Sequence, residues 1–524
     1  VGWIAVAIHL VVLGTVLAVA RARDGAFAYP LDDPYIHLRL AENLLDGTLG
    51  MNPGQFASAS SSPLWPVLIA GVAAVTGPLV GVPLALATVA GAGLLLGVDR
   101  WAKRIGLGVG GRSALMAAVL LLVPLTAVTL TGMEHVLQAG LCFLFASLVV
   151  ERVCQPTNPG ARPDRHDLFV LLTAAAAAAV RFELAFVLAP AVVLLAWRRR
   201  WWTIAAACIG AAIPVVATAA VNLGQGWPAL PTPLIAKSIT GADSEGITRL
   251  LPGLPLPSPD HVRVWAPLLL LAVVWVVSQR SLGPRWPLRA TAWNAVALGT
   301  VGLHYAFVKI GWFYRYEAYL VVLLLGALAV SLHALVADAT SAREAWRRTP
   351  IPARLAGAVL VVVALIGSLG SFSLSLRGMS EVQHQQVQMA RFAAEHCTGC
   401  TVVVNDIGAV SMYGGGRIVD DYGLASDEVL DSKLDGSWDA HTLGELASRE
   451  GATLAMVYDT PYWLPGVPEG WELLGTWSLD HAWVVGEETV SFYSLDPARS
   501  DELRDAFERF EPPPGVEVHS AQER

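Results

Sequence analysis

The strongest constraint on this chain is a series of apolar runs, each of about 14 to 20 residues, that recur from residue 3 to residue 372 with only brief polar interruptions. A bilayer core takes about 20 helical residues, and so many runs of that length exceed what the interior of a soluble fold can bury. Composition agrees, with 54% hydrophobic and 15% charged residues, against the roughly one-quarter charged content of an ordinary soluble domain. The pattern predicts a mostly α polytopic membrane protein. Its candidate spans are 3–20, 83–98, 113–130, 136–150, 168–180, 184–197, 202–220, 264–278, 290–308, 318–335 and 355–372, about eleven transmembrane helices. Residues 63–77, "PLWPVLIAGVAAVTG", form a further apolar helix that either spans or lies along the surface as a juxtamembrane element. Although "AVA" at 18–20 has the form of a signal-peptidase site, no basic segment precedes the first run, so it is read as a retained span.

Basic residues set the orientation. Segments 99–112, 151–166, 198–200, 279–289 and 343–354 carry 17 of the 35 Lys and Arg residues and alternate with basic-poor loops. The positive-inside rule places these five in the cytoplasm, and the loops near 131–135, 181–183, 221–263 and 309–317 outside. Runs 168–180 and 184–197 are short and flanked by basic residues on both sides, which predicts a hairpin with "RFE" (181–183) at its tip.

After residue 375 the apolar pattern stops. Residues 376–524 hold 26 Asp and Glu against 9 Lys and Arg, an acidic balance that argues against nucleic acid as a partner. The expected division is therefore a membrane domain over 1–375, with its first outer loop at 21–82, and a soluble extracytoplasmic α/β domain over 376–524. Strands are expected at 402–404, 453–458, 482–485 and 490–494, helices at 381–396 and 441–449, and a loose terminus at 511–524. Cys397 and Cys400 in "HCTGC" have no second pair at zinc-ligand spacing and read as a local disulfide or two thiols.

Ionisable residues in or beside membrane spans are costly and tend to mark function. On the predicted outer side they are few: Asp32, Asp33 and His37 in "LDDPYIH", Glu134 in "TGMEH", Arg181 and Glu183 at the hairpin tip, Lys237 in "LPTPLIAKS", and Lys309, Arg315 and Glu317 in "KIGWFYRYEAY". Each has a structural reading as well. Asp33 before Pro34 reads as a helix N-cap, Arg181 and Glu183 as a mutual pair, and Lys237 and Arg315 as interfacial anchors. The N-cap reading leaves Asp32 without a structural task. Taken together, carboxylates that deprotonate a hydroxyl and cations that hold a departing phosphate are the equipment for moving a sugar from a lipid phosphate.

In "LDDPYIHLRLAENLLDGTLGMNPGQFASASSSPLWP", "TGMEHVL", "VRFELAF", "LPTPLIAKS" and "FYRYEAYL", the chain resembles the GT-C superfamily of polytopic glycosyltransferases. The likeness is to the branch of arabinofuranosyltransferases and lipid A aminoarabinose transferases, and "VVVNDIGAVSMYGGGRIVDDYGLASDEV" looks like the start of that branch's C-terminal domain. Arg181-Phe182-Glu183 departs from an Arg-Pro-Glu form seen in relatives, and "PTPLIAK" is a loose match.

The resemblance implies an inverting transfer from a polyprenyl-phosphate-linked sugar donor to an acceptor hydroxyl of a cell-envelope glycan or glycolipid, on the outer face of the plasma membrane. It implies Asp33 or Asp32 as catalytic base, Glu134 as a second carboxylate, and Lys237, Arg181 and Arg315 as donor-phosphate ligands. His37, Glu183, Tyr316 and Glu317 would line the substrate cavity. Use of a divalent cation stays open, since some relatives take one and others none. A transporter or flippase of lipid-linked saccharides is the alternative; the absence of internal repeats speaks against it.

Overall fold

A computed structural model describes residues 1–77, 80–156, 162–239, 262–282, 286–308, 312–336, 344, 347 and 351–521. The chain divides into two compact units. One comprises Val1–Thr15, Leu84–Ala217 and Gly241–Ser373; the other comprises Val16–Pro83, Thr218–Thr240 and Leu374–Arg524.

The first unit is helical. Among the described residues of the whole chain, six helices are long and apolar enough to cross a membrane: Gly2–Asp24, Val82–Arg104, His135–Cys154, Trp201–Gly224, Ala318–Val336 and the helix that begins at Ile351. Shorter or more polar helices cover the other runs, including Arg165–Val180, Leu184–Trp197, Val262–Leu282 and Leu288–Phe307. This is a multi-pass membrane protein. Exposed apolar side chains such as Val11 and Ile366 are in keeping with a lipid-facing surface.

Ala318–Val336 lies at the centre of this unit, because every residue from Ala318 to Ser331 is buried and a helix apolar all round can only be enclosed by others. Gly326 makes that enclosure possible. A Cβ there would come within 2.9 Å of both Phe143 and Trp293. The run expected as one span at 113–130 is broken instead into Val109–Leu122 and Leu125–Leu130, since Pro124 lacks an N–H and its ring crowds the preceding turn.

The second unit joins the segment after the first helix to the C-terminal segment in one core. Ile36, Leu40, Met51, Ala57 and Ala59 pack in the same buried cluster as Met389, Phe392, Val402, Met456 and Phe492. Helix Asp33–Leu45 contributes its apolar face, with Pro34 in its first turn. Helix Leu64–Thr76 has 13 residues, which by length falls short of the roughly 20 a span requires.

The sheet of this unit has six strands: β1 (Thr401–Val404), β2 (Arg417–Asp420), β3 (Ala452–Val457), β4 (Glu472–Leu479), β5 (Thr489–Ser494) and β6 (Val516–Ser520). Their order is β2-β1-β3-β5-β4-β6. The first three are parallel, joined by helical crossovers, and the remaining pairs are antiparallel. Asn52 caps the open edge of β2, accepting from the Ile418 N–H (2.9 Å) and donating to the Ile418 carbonyl (2.9 Å).

Three expectations for this segment are corrected. Residues 482–485 form no strand, because the amides of Trp483 (3.1 Å), Val484 (2.8 Å) and Val485 (3.4 Å) donate to the Glu381 carboxylate. The terminus is ordered through residue 520 by pairing of β6 with β4. The helix expected at 381–396 is interrupted at Gln385, whose backbone leaves the helical region.

Phe392 is fully buried and has the rings of Trp477, Phe492, Phe507 and Phe510 within 6.4 Å, centroid to centroid. Phe392→Ala is expected to cost this unit about 3–5 kcal/mol. Thermal denaturation of the full chain in detergent checks it; an unchanged midpoint would contradict the shared core.

Candidate functional site

The expected site residues fall into two centres, one in each unit, and each is described by itself. In the membrane unit, the hairpin between Arg165–Val180 and Leu184–Trp197 turns at Arg181, Phe182 and Glu183, as the sequence anticipates. Arg181 leaves the helix with extended backbone and is buried, as is Glu134. Its guanidinium is forked onto Glu183, with Nε donating to Oε2 at 2.9 Å and Nη2 donating to Oε1. A third donor, Nη1, reaches Glu134 Oε1 at 2.9 Å. Two carboxylates thus share one buried cation, and charge-assisted pairing of this kind is what makes burial tolerable.

Around this triad lie groups from the loop after Phe307. The guanidinium carbon of Arg181 is 5.3 Å from the centre of the Tyr316 ring, and that of Arg315 is 5.1 Å from the same ring. Such distances allow cation–π attraction for both. His135 lies 5.3 Å from Tyr316, ring centre to ring centre. Arg315 and Glu317 are both buried. The turn that delivers them is strained, since Phe313 (φ 61°) and Tyr314 (φ 56°) both adopt the left-handed region that side chains with a Cβ avoid. Strain held by surrounding structure is common where a side chain must be aimed.

In the other unit, the start of helix Asp33–Leu45 differs from the expected N-cap. Asp32, not Asp33, occupies the cap position, and its side chain makes no capping bond. Its carboxylate instead accepts from the amides of Gly408 (2.5 Å, to Oδ2) and Ala409 (2.7 Å, to Oδ1). Burial above all, and then the charge of Asp406, raise the Asp32 carboxyl to about 8; the two amides act in the opposite direction. Asp406 accepts from Tyr458 Oη (2.6 Å) and Gln386 Nε2 (2.8 Å), and burial raises its carboxyl as well. His37 is buried, with Nδ1 3.4 Å from Ser60 Oγ. Lys237 belongs to helix Thr232–Ile239, but its side chain lies outside the described residues, as does the whole of Lys309.

The structure therefore brings Glu134, Arg181, Glu183, Arg315, Tyr316 and Glu317 into one unit and Asp32, Asp33, His37 and Lys237 into the other. Sequence reasoning passed over His135 and over His304, whose Nδ1 lies 3.0 Å from Tyr319 Oη. A lone histidine inside an apolar run, as His304 is, was an available signal. It also gave no partner role to Gly408, Gln386 or Tyr458, which nothing local distinguishes. Among the described residues, no three His, Cys, Asp or Glu side chains converge closely enough to hold a metal ion. Cys397 and Cys400 form a disulfide.

Residues 377–493 match the family described as "Domain of unknown function (DUF8728)". No curated protein matches the sequence. The structure is similar to that of ArnT from Cupriavidus metallidurans bound to undecaprenyl phosphate, with a TM-score of 0.53, 13% identity, and coverage of 95% of this chain and 98% of that one. The apo form of the same protein aligns with a TM-score of 0.49 at 13% identity and the same coverage.

Removing the shared cation should expose what the triad sustains. Arg181→Ala leaves the buried Glu134 and the half-buried Glu183 without their counter-charge and is expected to cost about 3–5 kcal/mol. Glu134→Gln keeps an oxygen for Nη1 and should cost less; Arg181→Lys, which cannot fork, should fall between. Melting of the purified chain in detergent ranks the three, and equal losses would contradict the arrangement.

Proposed function

We propose that this chain, which has the GT-C polytopic membrane fold, is a lipid-linked-sugar glycosyltransferase that inverts the sugar's configuration as it passes from a polyprenyl-phosphate donor to an acceptor hydroxyl. The observation that carries the reading is the presence, on that fold, of buried guanidinium groups beside Tyr316 and of a carboxylate pair at the head of helix Asp33–Leu45. The fold neighbour was crystallised with undecaprenyl phosphate, which supports a polyprenyl phosphate as the lipid partner.

The chemistry needs two services. A proton must leave the acceptor hydroxyl as it attacks the anomeric carbon, and the phosphate that departs must be held as its negative charge grows. The first-loop carboxylates, Asp32 and Asp33, supply the acceptor for the proton. Arg315 and Lys237 hold the phosphate. Arg181, three of whose donors are committed to Glu134 and Glu183, is assigned to fixing those carboxylates in place. His37, Glu183, Tyr316 and Glu317 are assigned to substrate binding.

We assign the second unit to the extracytoplasmic side of the inner membrane. The Cys397–Cys400 disulfide supports this, because such bonds persist in oxidising compartments and are rare in the cytosol. An acceptor belonging to a cell-envelope glycan or glycolipid would be met there.

A transfer assay with purified protein in lipid nanodiscs, supplied with a panel of polyprenyl-phosphate sugars and envelope glycan acceptors, tests the reading. Wild type should release free polyprenyl phosphate in step with glycosylated acceptor, and the double substitution Asp32→Asn/Asp33→Asn should lower that rate at least about 100-fold. Movement of intact lipid-linked sugar across liposome membranes without transfer would replace this reading with a transporter.

A further inference from the structure

Helix Leu184–Trp197 runs away from Arg181, and at its far end, about 20 Å on by helical rise, three consecutive arginines turn the chain into the membrane-crossing helix Trp201–Gly224. Three tryptophans flank them. Trp197, Trp201 and Trp202 are each more than half exposed. Tryptophan at the end of a membrane helix sits at headgroup level, with its ring against acyl chains and its N–H toward water.

The turn holds its arginines in different ways. Arg199 has φ 54°, its amide donates to the Ala196 carbonyl (2.9 Å), and the Arg200 amide donates to the Leu195 carbonyl (2.8 Å). This is the helix-ending position at which glycine is relaxed and a residue with a Cβ is strained, yet it carries an exposed arginine. Arg198 Nε donates to the Val153 carbonyl (3.1 Å), and Arg200 Nη2 donates to the carbonyls of Gln155 (2.5 Å) and Pro156 (2.8 Å). Arg200 is buried, and its Nε meets no acceptor among the described residues.

Charge does not balance in this cluster. Its two bonded carboxylates, Asp164 (3.0 Å) and Asp167 (2.8 Å), are both paired with Arg152. Arg198 and Arg200 are left with carbonyl oxygens, which orient a guanidinium without neutralising it. Burial, and then the charges of Arg152 and Arg198, lower the proton affinity of Arg200, while Asp167 and Asp164 act in the opposite direction. The excess positive charge at headgroup depth is complementary to an anion carried by a lipid.

We propose that the Arg198–Arg200 turn binds the phosphate of an anionic phospholipid headgroup in the cytoplasmic leaflet, with Arg199 as its exposed ligand and the three tryptophans against the acyl chains. The tryptophans favour a lipid over a soluble anion, since free phosphate has no apolar part for them to cover. A run of three basic residues assigns the turn to the cytoplasmic side. The lipid is held apart from the donor phosphate assigned to Arg315, and the inference does not depend on sugar transfer.

Calorimetric titration of the full chain in nonionic detergent tests this, using phosphatidylglycerol, phosphatidylcholine with the same acyl chains, and inorganic phosphate. Phosphatidylglycerol should bind at least about tenfold more tightly than either of the others, and high salt should shrink the difference. Arg199→Gln should weaken its binding about fivefold, and Arg199→Lys should retain it. Arg199→Gly should lose the same affinity while melting at the same temperature or higher, because glycine relieves the strained backbone. Arg315→Ala should leave phosphatidylglycerol binding unchanged. Equal binding of the two phospholipids, or no effect of Arg199→Gln, overturns the proposal. Inorganic phosphate bound as tightly as phosphatidylglycerol overturns it in favour of a soluble anion, and loss of phosphatidylglycerol binding in Arg315→Ala overturns it in favour of the cations beside Tyr316.

Discussion

One buried guanidinium governs the membrane unit. Arg181 stands between Glu134 and Glu183, forked on one and singly bonded to the other, in a unit otherwise built from apolar helices. Desolvating any one of these charges alone would cost several kcal/mol, on the order of what a whole domain has to spare. The three are therefore tolerable only as a set, and the set dictates local geometry. The Arg165–Val180 and Leu184–Trp197 helices must stop short so that their tip presents Arg181 and Glu183, and helix His135–Cys154 must begin just after Glu134. The strained turn at Phe313 and Tyr314 then brings Arg315 and Tyr316. A scaffold that needed only stability would fill this space with leucine.

The second unit solves a different problem. The segment after the first helix buries its apolar side chains in a core shared with the sheet. Polar links then set the register of that docking. Asn52 completes the edge of β2 in the manner of one more strand residue, and Thr232 donates to the Leu424 carbonyl at 2.5 Å. Asp32 does the same for the start of the short helix Gly408–Tyr413 that follows β1. These are backbone-directed bonds, so they specify position without depending on the partner side chains.

Much of this was legible before any coordinates. The apolar runs located the helices because the bilayer imposes a length that few other environments do, and the short flanked pair around Arg181 announced its hairpin. The pairing of Arg181 with Glu183 was legible too, since the residues are two apart at a tip. The partnership with Glu134, 47 residues away, was not; no local pattern encodes it. The first-loop aspartates show the limit most clearly. Helix-start rules gave the cap to Asp33 and left Asp32 idle, whereas Asp32 stands at the cap and is bonded to the start of a short helix some 376 residues distant. Strand β6 escaped notice because an edge strand carrying Glu517 and His519 resembles a solvated tail, and 482–485 looked like a strand because its valines do, although a single carboxylate, Glu381, takes their amides.

Of the buried cations beside Tyr316, Arg315 is the one assigned to a lipid that carries phosphate. Native mass spectrometry of the purified chain, titrated with a polyprenyl phosphate and with the uncharged polyprenol of equal length, measures this directly. The account predicts one bound lipid phosphate, held at least about tenfold more tightly than the alcohol, with the preference lost in Arg315→Ala. Equal binding of phosphate and alcohol would contradict it.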